Sequence, residues 1–300
     1  MKKCLMILIV FMLVSCTPTK KLSIMVPQGS PAMTILGLDQ DDYAIDIVNG
    51  PDPLVAAFGS GSHNAIIAPT NLGVKLYQSK PDYRLAAVVV FGNYHLVSTT
   101  FNQSDLNEIE GKTIIVFGQN QTSDIIIKHL IEQKNITVSI NYVDSVQLAS
   151  AEYLSDPTQI VMVAEPSLSK LKVLVPETKS IDLQEVYAQL HEDLSYPQAS
   201  LFVQSTLSSH DVNQLIDDLK NSIEQVNDGI ESVIMRGIEL GISDDVDILE
   251  NAILGSHLDL LTPDLSMTSI ETYLNVILDL NPMLIGGKIP DSSIYWSDES

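Results

Sequence analysis

The chain has 300 residues, room for two domains of ordinary size, and only two cysteines. Sixteen Lys and Arg stand against 38 Asp and Glu, a net charge of −22. Such a chain has no basic stripe to displace phosphate counterions and no polybasic patch for anionic lipid, which excludes nucleic acid and electrostatic adhesion to membranes.

In chain order, the first feature is Met1 to Cys16. Lys2 and Lys3 precede Leu5 to Val14, which carries no charge. This is the pattern of a signal peptide, too short to span a bilayer. It ends Leu13-Val14-Ser15-Cys16, which resembles the bacterial lipoprotein box. That resemblance implies cleavage before Cys16 and a diacylglyceryl group on its thiol. A lipid there would hold the rest of the chain on a membrane without a spanning helix. Cys4 would leave with the signal and Cys16 would be consumed, so no disulfide is expected. Thr17 to Lys21 reads as a short tether.

Leu22 to Val26 reads as a first strand, broken by Pro27-Gln28-Gly29-Ser30-Pro31. Ser30 caps a short helix there, with Pro31 at its first position. Tyr43 to Val48 is a second strand, Asp52 to Phe58 a helix and Ala65 to Ala68 a third strand. Pro69 ends that strand, and Thr70 or Asn71 caps the helix after it. In an open α/β sheet, ligands bind at the carboxyl ends of strands, so Ala68 to Asn71 is read as one wall of a cleft. Leu85 to Val90 is a strand, Phe91 to His95 a loop, and Leu96 to Thr100 a departing strand. Strand and helix alternate here as in βαβ units with a parallel sheet.

The order then repeats without a close sequence repeat. Thr113 to Phe117 is a strand, Gly118 to Ser123 a polar loop, and Thr122 or Ser123 caps a helix through Ile131. Val138 to Val143 is a strand, Val146 to Leu154 a helix, and Gln159 to Ala164 an apolar strand ending in Glu165-Pro166. Ser167 to Leu171 is a short helix and Val173 to Val175 a short strand. Ala199 to Gln204 is a returning strand. From His210 the apolar spacing is helical, with further helices at 229–240, 246–254 and 267–280. The expected layout is α/β: two Rossmann-like lobes joined by a two-strand hinge. Lobe one is 22–96 plus 201–300, lobe two is 97–200, and the chain crosses near 96–100 and 197–202. The cleft between lobes is the expected binding site.

These motifs together resemble the solute-binding lipoproteins of ABC importers, of the type II periplasmic-binding-protein fold, in the branch of nitrate, sulfonate, taurine and thiamine-pyrimidine binders. The resemblance rests on Pro27 to Pro31, on Pro53 to Phe58 before Ala65 to Asn71, on Gly111-Lys112-Thr113-Ile114, on Ala164-Glu165-Pro166 and on Gly286 to Pro290. It implies ligand contacts from Gln28, Gly29, Ser30, Pro69, Thr70, Asn71, Asn93, Tyr94, Gln119, Thr122, Ser123 and Glu165. Gln28, Thr70, Asn71, Asn93 and Gln119 are neutral hydrogen-bonding groups suited to a small polar solute. Tyr94 offers a flat wall with a polar tip. Glu165 either accepts from an amino group of the ligand or caps or pairs locally. The resemblance also implies closure of the lobes on the solute, recognition by permease subunits, an extracytoplasmic monomer anchored through Cys16, and no cofactor.

An enzyme of pyrimidine-precursor type on the same fold is an alternative, as is a sensor or adhesin that does not transport. Among six histidines no HExxH or paired metal spacing occurs, and neither a GxSxG elbow nor a P-loop is present. His95 lies near the expected cleft. Arg84 and Arg236 are the only arginines. An anionic ligand would depend on one of these or on backbone N–H groups, hydroxyls and helix ends.

Overall fold

The computed structural model describes residues 21–298. The leader, most of the tether and the Cys16 anchor lie outside the described residues.

Two sheets carry the chain. The first has the order β11-β4-β10-β3-β1-β2. It is built from β1 (Leu22–Pro27), β2 (Tyr43–Val48), β3 (Ala65–Pro69), β4 (Tyr83–Phe91), β10 (Pro197–Gln204) and β11 (Leu258–Leu261). The second has the order β7-β6-β8-β5-β9. Its strands are β5 (Tyr94–Ser98), β6 (Thr113–Phe117), β7 (Ser139–Val143), β8 (Ile160–Ala164) and β9 (Lys179–Asp182). The helices are α1 (Ser30–Met33), α2 (Asp52–Ser60), α3 (Thr70–Ser79), α4 (Thr122–Gln133), α5 (Val146–Ser155), α6 (Ser167–Leu174), α7 (Leu183–Leu190), α8 (Ser209–Asn227), α9 (Glu231–Glu239), α10 (Val246–Leu254) and α11 (Pro263–Leu280). Among the described residues no helix is long and apolar enough to cross a membrane.

Both sheets are mixed rather than parallel throughout. β1 to β3 and β6 to β8 pair in parallel, as βαβ units must. β4, β10 and β5 pair antiparallel, because they carry the chain out of one sheet and back. The first crossing lies between Phe91 and Tyr94, earlier than 96–100, since Tyr94 to Val97 already bond to β8. The return lies between Asp182 and Pro197, earlier than 197–202, since Pro197 to Val203 already bond to β4. A lobe edge at 96 or 201 would therefore cut a strand.

Strand periodicity sorts the core. Ile24 and Val26 of β1 pack on one face of the first sheet with α8 and α10, while Met25 packs on the other. In β8, Ile160, Met162 and Ala164 face one core, and Val161 and Val163 the outer one. One core is shared by both sheets and holds residues of α4, α11 and the crossing segments. Tyr94 stacks on Tyr196 there, with centroids 6.2 Å apart, and Tyr196 meets Tyr187 edge-on at 5.1 Å.

Several local expectations change. Val173 to Val175 is no strand: Leu168 and Leu171 are buried at helical spacing, and Val173 and Leu174 lie on the exposed face of α6. The edge strand is β9 instead, followed by α7. β11 is a further four-residue strand, too short to register as a pattern. Thr70 is the first residue of α3 and makes no cap, and Asn71 lies inside the first turn. Neither Thr122 nor Ser123 caps α4, whose preceding residue is Gln121. Gly29, at φ 99°, precedes α1, so Ser30 is inside the helix and its hydroxyl is free to reach across to the second sheet.

Candidate functional site

The carboxyl ends of β1, β3, β6 and β8 open on one cleft of about 680 Å³ between the two sheets. That is the usual place and size for a small-molecule site. Of the residues expected there, Gln28, Gly29, Ser30, Pro69, Asn93, Tyr94, Thr122 and Glu165 line it. Thr70, Asn71, Gln119 and Ser123 are not in its walls. Thr70 is fully buried and its Oγ1 shares a hydrogen bond of 2.8 Å with Ser200 Oγ. Ser123 Oγ donates to the Phe117 carbonyl at 2.6 Å. Gln119 is exposed on the loop beside the cleft.

Ser30 is a junction. Its Oγ accepts from Asn93 Nδ2 at 2.5 Å, pairs with Ser256 Oγ at 2.8 Å and donates to the Glu165 carbonyl at 3.4 Å. Asn93, on the first crossing, is 1% exposed. Its backbone N–H donates to Gln198 Oε1 at 3.0 Å, which ties the first crossing to the start of β10. Its Oδ1 has no donor among the described residues. Tyr94 and Phe117 meet edge-to-face at 5.8 Å and both line the cleft as a ring wall.

Glu165 closes the strand β8 and is 6% exposed. Its Oε2 accepts from the Ser169 backbone N–H at 3.1 Å, and its Oε1 from Ser169 Oγ at 3.0 Å. Of the two roles left open for it, a local bond at the start of α6 is therefore in place, and the residue is also part of the cleft wall. Burial pushes it up to about 7, against the pull of the Ser169 bonds and of Lys172. His95 lies on β5 beneath the wall, buried and off the lining; burial pushes its imidazole down to about 3.

Three further contacts hold the sheets' halves together. Thr122 Oγ1 donates to Asn71 Oδ1 at 3.1 Å and receives Tyr273 OH at 3.4 Å. Lys170 of α6 pairs with Asp244, in the loop before α10, at 3.2 Å. A smaller cavity of about 310 Å³ beside that ion pair shares Pro166, Ser167 and Ile242 with the cleft.

The sequence reading missed Asn49 to Pro51, Phe117, Asp144 to Gln147, Gln198 and Ile242, all in the walls; Gln121, within the loop Gln119 to Ser123 expected to supply contacts, lines them too. Asn49-Gly50-Pro51 and Asp144-Ser145 follow β2 and β7. The rule that singled out Pro69 applies equally to these two strand ends. Ile242 comes from a distant loop and has no local signal. Among the described residues no Lys, Arg or His lines the cleft. Among the described residues no group of three His, Cys, Asp or Glu is placed to hold a metal ion. The walls offer hydrogen bonds, rings and two carboxyl groups.

No family model matches the chain, and no curated protein sequence matches it. Solved structures do match in shape. An ABC transporter from Parabacteroides distasonis is 18% identical with a TM-score of 0.81, over 92% of this chain and 99% of that one. The periplasmic aliphatic sulphonate binding protein SsuA from Escherichia coli is 11% identical with a TM-score of 0.71, over 92% of each chain. The Candida albicans CA3427 gene product, described as having the generic periplasmic binding protein fold, is 13% identical with a TM-score of 0.55, over 92% of this chain and 93% of that one. This chain has the periplasmic-binding-protein fold. In that fold the two sheets are its two lobes, the crossings at 92–93 and 183–196 are its hinge, and the cleft lies between the lobes.

Proposed function

We propose that this chain is an extracytoplasmic solute-binding lipoprotein that hands a small polar molecule to the permease subunits of an ABC importer. The observation that carries this reading is the 680 Å³ cleft between two sheets joined by two crossings, lined at strand ends by Gln28, Ser30, Asn93, Gln121, Thr122 and Gln198. Its resemblance in shape to an ABC transporter and to a sulphonate-binding protein supports the role. The leader and Cys16 support export and a lipid anchor, which would hold the chain on the membrane's outer face. Solute enters the open cleft, the lobes rotate about the crossings, and water leaves. The closed form is favoured only because it binds the solute more tightly. The cleft's contacts read and hold a solute, and no bond-making step is assigned to them.

Native mass spectrometry of the freshly purified chain tests this reading. The expected result is a small molecule retained in the folded protein and released unchanged on unfolding. A protein that retains nothing and gains no thermal stability from any small solute would contradict it.

A further inference from the structure

The charge and the helix starts around the cleft specify the class of solute. We infer that the cleft takes a small organic cation, a solute with a protonated amine, and rejects anions; this rests on the solute-binding reading above. Anions in such clefts are held by basic side chains or by free N–H groups at helix N-termini. Here no Lys, Arg or His among the described residues lines the walls, while Glu165 and Asp144 do.

Some of the helix starts are also occupied. Glu165 accepts the Ser169 N–H at the start of α6. Ser145 Oγ accepts the Leu148 N–H at the start of α5. Asp124, buried in the first turn of α4, accepts the Asn120 N–H at 2.9 Å and pairs with Lys128 at 2.9 Å. Asp52 stands in the first turn of α2. The first turns of α5 and α6 thus give an N–H to an oxygen of their own chain, and Asp124 and Asp52 put carboxyls in the first turns of α4 and α2, while the starts of α1 and α3 carry no side-chain cap. An incoming anion would meet Glu165 and Asp144 in the walls with no basic side chain there, among the described residues, to offset them.

The same walls suit a cation. Asn93, a wall residue, holds a buried Oδ1 without a donor among the described residues, and a solute N–H that reaches it as the lobes close would recover the cost of leaving it unpaired. Tyr94 and Phe117 present ring surface to an ammonium group. A bound ammonium group favours the ionised form of Glu165, whose burial otherwise raises it to about 7, and so gains a counter-charge in the wall.

The test uses the full chain and three fractions of one small-molecule filtrate of bacterial cell extract: retained on a cation exchanger, retained on an anion exchanger, and retained on neither. Melting temperature and calorimetric titration are read for the natural chain, for Glu165→Gln and for Asp144→Asn, which changes an exposed rim carboxylate. The expected result is a rise in melting temperature from the cation fraction alone. Affinity should weaken about tenfold or more in Glu165→Gln and by a smaller factor in Asp144→Asn. A rise from the anion or the neutral fraction alone overturns this inference and leaves the solute-binding reading standing. So does a cation response undiminished in both variants. No response to any fraction overturns the solute-binding reading, and this inference with it.

Discussion

Glu165 lies between Ser169, which donates to both its oxygens, and Gly255, where an added Cβ would fall 2.7 Å from Oε1. Its carboxyl is raised from 4.5 to about 7 by burial. The folded chain therefore holds this proton more tightly than the unfolded chain does. Its contribution to stability is complete below about 4.5 and is lost as pH rises to about 7. The loss is at most about 3 kcal/mol. His95, lowered to about 3, acts in the opposite sense: the unfolded imidazole takes up a proton below 6.5, so stability falls as pH drops. Comparing two proteins that share His95 isolates the glutamate. Thermal melts of the natural chain and Glu165→Gln should diverge with pH, the variant gaining relative stability as pH climbs through neutrality. Parallel profiles would contradict the buried-carboxyl account.

At the scale of elements, α4 and α3 meet across the cleft through one hydrogen bond, Thr122 to Asn71. Thr122→Val keeps the shape and leaves the Asn71 oxygen buried without this donor, at a cost of about 1–3 kcal/mol. Urea unfolding should show a loss of that size, and a fully unchanged midpoint would argue that the contact contributes nothing. Gly92, between β4 and β5, has no room for a side chain: an added Cβ would lie 2.1 Å from Cζ of the buried Tyr196. Gly92→Ala should cost about 1–3 kcal/mol through overpacking at the first crossing. A melting temperature equal to that of the natural chain would show that the crossing is looser than drawn.

These elements also show what the sequence could reveal. Strand, breaker and helix start were legible at Gln28 to Ser30 and at Pro69, because Pro and Gly end strands for backbone reasons that need no tertiary knowledge. The roles of Thr70, Asn71 and Ser123 were not. Each hydroxyl or amide suits a ligand as well as a cap, and here a neighbouring chain segment claims it: Ser200, Thr122 and the Phe117 carbonyl. Ser30 shows the reverse, a residue read as a local cap whose hydroxyl bridges both sheets. Ile242 reaches the cleft from a loop far along the chain from every other wall residue, the nearest being Ala199, beyond any local pattern.

For the whole molecule, the account needs two halves that move about the crossings at 92–93 and 183–196. The hydrogen bonds and ion pairs that would break on opening are few: Thr122 with Asn71 and Tyr273, Ser30 with the Glu165 carbonyl, and the exposed pair Lys170–Asp244; α6 also packs on α10, and α4 on α11. Surface ion pairs contribute about 0–1 kcal/mol, so that ion pair is a weak latch. Opposing motion is the tyrosine-rich core behind the hinge, where Tyr94, Tyr187, Tyr196 and Tyr273 pack together. It can act as a pivot that stays packed while the cleft mouth widens. Small-angle X-ray scattering of the purified chain, before and after any retained solute is stripped by unfolding and refolding, tests this most directly. The account predicts a larger radius of gyration for the stripped protein and a return to the compact value when the solute is restored. Identical scattering in the two states, with binding shown independently, would contradict it.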